Sequence, residues 1–368
     1  MGLRIALFTL EYPPSHTGGL GVHVGGLAKY LCGRGDTVDV FYVGSQPPPP
    51  GVIAVPPFEW RGSLADLLSV ERVPGADTVL ARHRATPYDV VHCHDWHGAH
   101  FAAALWSRGA PVVTTCHLPV TTRFHYAGQD NVDTARALES LVLRLSRCVI
   151  AVSEFVALEL ERVHRTPAHK LRVIHNGTDV KLFAPSEAAT RSSLVLAVGR
   201  LTAQKGFKTL LEVFREVRGG LANARLRIVG AGPDERALME HICTLGLMDA
   251  VDLHPFVDAS ALRSHYQDAA VVAVPSVYEP FGLVAIEAMA CGVPVVGFAT
   301  GGLREIVTDG VNGVLVPPHD RTGFANALAT LLADRAHAQS LGRQARLTAL
   351  AHFRGDVSYA RTRATYDA

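Results

Sequence analysis

The sequence predicts two α/β domains, each built on a parallel β-sheet covered by helices. Three observations predict it. The chain has 368 residues, more than one hydrophobic core ordinarily organises. Short runs rich in Val, Ile and Leu alternate with helical patterns along both halves. Apolar residues make up 48% and charged residues 19%, with no long low-complexity tract, so folded structure is expected throughout.

In the first half the strands read as RIALFTL, TVDVFYV, DVVHCH, PVVTTCH and RCVIAVS, with helices at GVHVGGLAKYLCGRG, HGAHFAAALWSRG and TARALESLVLRLS. Loops after strands are where such sheets bind ligands. The first, EYPPSHTGGLG, places Gly18 and Gly19 before a helix, where backbone N–H groups can approach an anion or a sugar; a plain tight turn is the other reading. It is not a phosphate loop of the G-x-x-x-x-G-K-[ST] kind. The stretch VVHCHDWHGAH puts Asp95 and Trp96 at a strand end, a carboxylate for hydroxyls and a ring for an apolar sugar face. A structural role for Trp96 stays open. So does a metal reading of His92, His94, His97 and His100, though the spacing gives no closed ligand set. His117 follows the next strand and can point to the same side as Asp95.

The segment VKLFAPSEAATRSS has little periodicity and reads as a linker, which places the boundary near residue 186. The domains expected are 1–186 and 187–352, with a C-terminal helix over 353–368. In the second half the strands read as LVLAVGRL, ARLRIVGAG, VDLHPFV, AAVVAVPS, VPVVGF and NGVLVPP, with four helices between them and two more from about Arg321. Arg200 and Lys205 sit in a strand-to-helix loop flanked by Gly199 and Gly206, suited to a diphosphate: a donor fork from Arg and a point charge from Lys. The stretch SVYEPFGLVAIEAMACG ends a strand at Pro280 and starts a helix at Phe281, Gly282 and Leu283, whose first N–H groups can hold a phosphate. Glu279 precedes that helix and Glu287 lies inside it. They read as ligands for sugar hydroxyls and a ribose; a general acid/base pair is the alternative, less suited to a phosphate leaving group that needs charge stabilisation.

Formal net charge is +1, which gives no support for nucleic-acid binding. Six cysteines without a C-x-x-C pair read as buried thiols in a reducing cytoplasm. No apolar run is long enough to span a membrane, which leaves peripheral membrane contact open. The N-terminus reads as a first strand, not a signal peptide. Oligomeric state is not legible.

RLTAQKG, EPFGLVAIEAMACGVPVVGFATGGLREIV and NGVLVPP, in this order and with the E-x7-E pair, resemble the retaining glycosyltransferases of family four. HTGGLG, HDWH and IHNGTD resemble bacterial glycogen and starch synthases and their shorter relatives. The resemblance implies the GT-B fold, two Rossmann-like domains facing each other across a cleft. It also implies an acceptor-side first domain, carrying the C-terminal helix, and a donor-binding second domain. By it, Gly18 and Gly19 sit near the donor phosphate, Asp95 and His117 line the acceptor and donor-sugar side, and Arg200 and Lys205 bind the diphosphate. Glu279, beside the Phe281–Leu283 backbone, takes the hexose, and Glu287 the ribose. A nucleotide diphosphate sugar is the implied donor, with no essential metal or cofactor and retention at the anomeric carbon. His16-Thr17 and TCHLP depart from the synthase pattern, which argues against polymer synthesis and leaves a sugar, sugar phosphate or natural-product aglycone as acceptor. The alternatives are an α-glucan glucosyltransferase using ADP- or UDP-glucose, and a nucleotide-sugar 2-epimerase, against which the E-x7-E pair argues.

Overall fold

The computed structural model describes residues 2–14, 18–44, 48, 50–56, 75–120, 133–186 and 193–367. His16 and Thr17 lie outside them, as do residues 187–192 of the expected linker. The chain divides into two compact units, Met1–His175 with Asp356–Ala368, and Asn176–Gly355. Residue 186 falls inside the second unit.

In the first unit the strands are β1 (Arg4–Thr9), β2 (Thr37–Val43), β3 (Ile53–Val55), β4 (Val90–His94), β5 (Val112–Cys116), β6 (Cys148–Ala151) and β7 (Leu171–Val173). They pair in parallel in the order β3-β2-β1-β4-β5-β6-β7. The edge strands β3 and β7 were not expected from the sequence. Three residues are too few to display a period, and pairing with a neighbour is what makes them strands. The helices Ala76–Ala85 and Glu154–His164 were likewise unexpected. Alternation along β1 builds both cores: Ile5 and Leu7 enter one cluster with Val24, Leu27 and Leu31, while Ala6 and Phe8 enter the other with Phe41 and Phe101.

The second unit carries β8 (Leu194–Val198), β9 (Arg225–Val229), β10 (Val251–His254), β11 (Val271–Val274), β12 (Val295–Phe298) and β13 (Gly313–Val316), parallel in the order β10-β9-β8-β11-β12-β13. Its core packs Phe207, Leu210 and Phe214 of the helix Phe207–Gly220 against Leu226, Ile228 and Phe324. In each sheet the order reverses once, between β1 and β4 and between β8 and β11. Connections there leave for opposite faces and open a crevice at the strands' carboxyl ends.

The chain passes between the units twice, after His175 and after Gly355. Thr178 N–H donates to Phe353 O (2.9 Å) and Gly355 N–H donates to Thr178 O (2.8 Å), so the two connecting segments run side by side. The last helix, Gly355–Ala364, and the residues after it return to the first unit. There Arg363 Nε donates to Asp36 Oδ2 at 2.8 Å, and Tyr366 Oη lies 2.6 Å from His92 Nδ1. Of the six cysteines, Cys32 and Cys243 are exposed and the other four are buried, all as free thiols.

Candidate functional site

In the second unit the candidate residues gather at the β8/β11 reversal. The loop after β8 holds Arg200 and a short 3-10 turn, Ala203–Lys205, that ends at Gly206. Gly206 has φ 70°, and a Cβ there would lie 2.1 Å from Pro275 O, so only glycine lets this loop touch the end of β11. Gln204 ties the two loops together: its carbonyl accepts from Val277 N–H (3.0 Å), and its side chain donates to Tyr278 O (3.1 Å).

That junction brings Lys205 and Glu279 into a 2.8 Å ion pair, with Ser276 Oγ donating to the same Glu279 oxygen at 3.0 Å. Glu279 is 7% exposed. Its carbonyl accepts from Gly302 N–H (2.8 Å), and a Cβ on Gly301 would lie 2.1 Å from the same carbonyl oxygen. The Gly-Gly pair after β12 therefore seats the Glu279 backbone, a role the sequence reading did not give it. The following helix is Leu283–Ala290, with Gly282 as its N-cap and no side-chain cap. Its first N–H groups have no acceptor within the helix. Phe281 lies before it, buried against Phe353.

Glu287 is on that helix's buried face, 6% exposed, and accepts from Tyr266 Oη at 2.8 Å. Burial lifts its carboxyl from 4.5 to about 7, against the opposing pull of the Tyr266 hydrogen bond. Tyr266, fully buried in the helix Ala259–Asp268, is the hydrogen-bond partner of Glu287 that sequence reasoning missed. Its signal in the sequence was an aromatic residue in a helix whose other apolar residues are Ala259, Ala261 and Leu262.

In the first unit Gly18 caps the helix Gly19–Gly33, and its N–H donates to Glu11 Oε2 at 2.7 Å. Gly21 N–H reaches the same oxygen at 3.4 Å. The first N–H groups of this helix thus point at a carboxylate of the protein itself, where the helix end favours negative charge. Asp95, directly after β4, has φ 57°, a left-handed conformation that costs a non-glycine residue about 1–3 kcal/mol. Its Oδ1 accepts from His117 N–H (2.6 Å) and Leu118 N–H (3.3 Å), so it clamps the start of the loop after β5. Buried Glu139 accepts from Val120 N–H three residues on.

Of the four histidines weighed from the sequence as metal ligands, His94 lies beside His117, and His23 joins them from the helix Gly19–Gly33. His94 Nδ1 lies 3.1 Å from His117 Nε2, and the His23 ring packs edge-on to His117 at 4.9 Å. His92 is instead bonded to Tyr366 and Thr115, His97 stacks on Trp96, and His100 packs on Phe101. Desolvation lowers His23 to about 4 and His92 to about 3, and holds His94 and His117 well below 6.5. All four rings are neutral at pH 7.

Comparison with known proteins agrees with this architecture. The model for Glycosyltransferase Family 4 matches residues 17–182, and that for glycosyl transferases group 1 matches residues 180–348. An uncharacterized glycosyltransferase of Methanocaldococcus jannaschii is 35% identical over 361 residues, spanning 90% of each chain. Sucrose-phosphate synthase from Thermosynechococcus elongatus superposes with a TM-score of 0.85 at 28% identity, covering 99% of this chain and 98% of that one. Anabaena HepE, solved in complex with UDP and glucose, shares the fold with a TM-score of 0.82 at 23% identity over 100% of both chains. The fold is GT-B. The chain belongs to the group 1 and family 4 glycosyltransferases, and is a transferase. Among the described residues no helix is long and apolar enough to cross a membrane.

Proposed function

We propose that the protein is a retaining hexosyltransferase. It moves a sugar from a nucleotide diphosphate sugar to a hydroxyl of a sugar or small-molecule acceptor, with no essential metal or cofactor. The observation that carries this reading is the Lys205–Glu279 pair at the β8/β11 reversal, next to the amino end of the helix Leu283–Ala290. A diphosphate replaces Glu279 as the partner of Lys205, and Arg200 adds a second cation. Glu279 then turns its oxygens to the hexose hydroxyls, while the backbone of Phe281, Gly282 and Leu283 meets the phosphate. Glu287, fixed by Tyr266, takes the ribose. Gly18 and Gly19 offer N–H groups that suit an anion, as the bond from Gly18 N–H to Glu11 illustrates.

In the chemical step the bond from the anomeric carbon to the phosphate oxygen breaks. The acceptor oxygen attacks from the same face, and its proton passes to the departing phosphate. Arg200, Lys205 and the helix end stabilise the charge that develops there. His117 is neutral, so it orients hydroxyls by hydrogen bonds without adding charge, and Asp95 holds its backbone in place. The likeness to sucrose-phosphate synthase supports a sugar acceptor, and UDP and glucose in HepE support a glucosyl donor.

The test is incubation with UDP-, ADP- and GDP-glucose without acceptor, following slow hydrolysis, with Glu279→Ala in parallel. Hydrolysis of one donor is expected, lost in Glu279→Ala while the variant still binds the nucleoside diphosphate in calorimetry. No turnover of any donor by the wild type, or full turnover by the variant, overturns the reading.

A further inference from the structure

Three histidines from three separate segments converge in the first unit. His23 comes from the helix Gly19–Gly33, His94 ends β4, and His117 follows β5. One nitrogen from each lies within 4.8 Å of the others. The ring centroids of His23 and His94 are 5.6 Å apart, and those of His94 and His117 are 5.4 Å apart.

Hydrogen bonding within the protein leaves the group incompletely satisfied. Both nitrogens of His23 and Nε2 of His94 are buried without a hydrogen-bond partner. His23 is 3% exposed and His94 is inaccessible. A buried polar atom left without a partner costs about 1–3 kcal/mol, and the unpartnered nitrogen with which His23 faces the other two rings marks a position for something it receives. Burial holds all three rings neutral, the form in which imidazole carries a lone pair for a metal.

We propose that His23, His94 and His117 bind one divalent transition-metal ion of the zinc class, and that the bound ion inhibits sugar transfer by withdrawing His117. Three neutral imidazoles with a fourth position left for water form a donor set that zinc accepts. With Zn–N bonds of about 2.0–2.1 Å, tetrahedral ligand atoms stand about 3.3 Å apart. The His94–His117 pair at 3.1 Å is already near that spacing. His23 closes the set by moving inward by up to about 1.5 Å, a side-chain rotation. His117 is the least buried of the three. The inhibitory half of the proposal rests on the role given to His117 above; the binding half does not.

The test uses the full chain and two variants, His23→Gln and His117→Ala, each checked for folding by circular dichroism. Zinc uptake is measured by dialysis and calorimetry, and cobalt(II) serves as a spectroscopic probe of tetrahedral nitrogen ligation. The wild type should take up one more ion per chain than either variant, which subtracts the other histidines. Its cobalt bands should vanish in both variants. Affinity at this site should fall by more than about 100-fold, beyond the 10–100-fold loss typical of an outer-shell change. Equal uptake by the wild type and either folded variant overturns the site, leaving a hydrogen-bonded histidine cluster only. His23→Gln, which removes no group assigned to substrate, should keep its transfer activity and lose zinc inhibition. Zinc bound as described but without effect on activity overturns the role of His117 and leaves the site standing.

Discussion

At the β1/β4 end of the first sheet and on the adjoining β5 loop, the buried titratable groups are mainly imidazoles. At the β8/β11 end of the second, and in the helix that follows, they include two carboxylates, Glu279 paired with Lys205 and Glu287 bonded to Tyr266. The two sheets share a strand order and reverse at equivalent places, so the contrast lies in the side chains alone. Desolvation favours the neutral form in both, but neutrality means losing a proton for His and keeping one for Glu. The first unit is therefore vulnerable to acid and the second to base.

The largest expected effect is the acid limb of the first unit. His23 and His92 have folded pKa values of about 4 and about 3, below the ordinary 6.5. The unfolded chain therefore takes up protons first, and stability is lost as pH falls from 6.5. At 1.36 kcal/mol per unit, each ring accounts for about 3 kcal/mol by pH 4. Denaturant unfolding between pH 7 and 4 should show this loss, and His92→Gln should make the limb shallower. A variant curve parallel to wild type would break the comparison on its first side.

Glu287 should do the reverse. Its folded pKa of about 7 stands above 4.5, so the folded state keeps the proton longer. The associated stability is complete below pH 4.5 and is lost as pH rises through 7, by about 3 kcal/mol. Glu287→Gln should flatten that slope in unfolding curves from pH 4.5 to 8. If the slope persists, the second side fails.

Smaller is the effect of Lys205→Ala on nucleoside diphosphate binding. Losing a charge-assisted contact should cost about 1.5–3 kcal/mol, read by calorimetry. Unchanged affinity in a folded variant would remove Lys205 from the donor site. Smallest is Tyr266→Phe, at about 1 kcal/mol of stability. Its hydrogen bond is what lowers the Glu287 pKa, so its loss should move the base-side midpoint upward. A midpoint that moves down would mean that Tyr266 favours the protonated acid.

Much of this was legible because strand ends in parallel sheets are marked locally. Asp95, His117, Arg200, Lys205 and Glu279 each follow an apolar run, and a parallel sheet carries such positions to one edge. What the sequence did not display is pairing across distance. His23 meets His117 from a helix read only as a repeat of apolar positions, and Tyr266 meets Glu287 across the fold. The metal reading weighed from the sequence took in His92, His94, His97 and His100 because they are neighbours in the chain; the fold keeps His94 beside His117 and gives the other three different partners. Gly301 and Gly302 were legible as a turn, but their contact with the Glu279 backbone depends on β11 and β12 lying side by side. The boundary near residue 186 rested on weak periodicity, while the compact units divide between His175 and Asn176.

The double passage of the chain has a bearing on how the protein is made. The second unit is one continuous stretch, whereas the first is closed by residues 356–368. As the ribosome works from the amino end, residues 176–355 are all synthesised before Arg363 can reach Asp36 or Tyr366 can reach His92. Domains translated first generally fold first. Here the earliest-made domain is the last completed, and it waits for its closing helix with Asp36 and His92 lacking those partners.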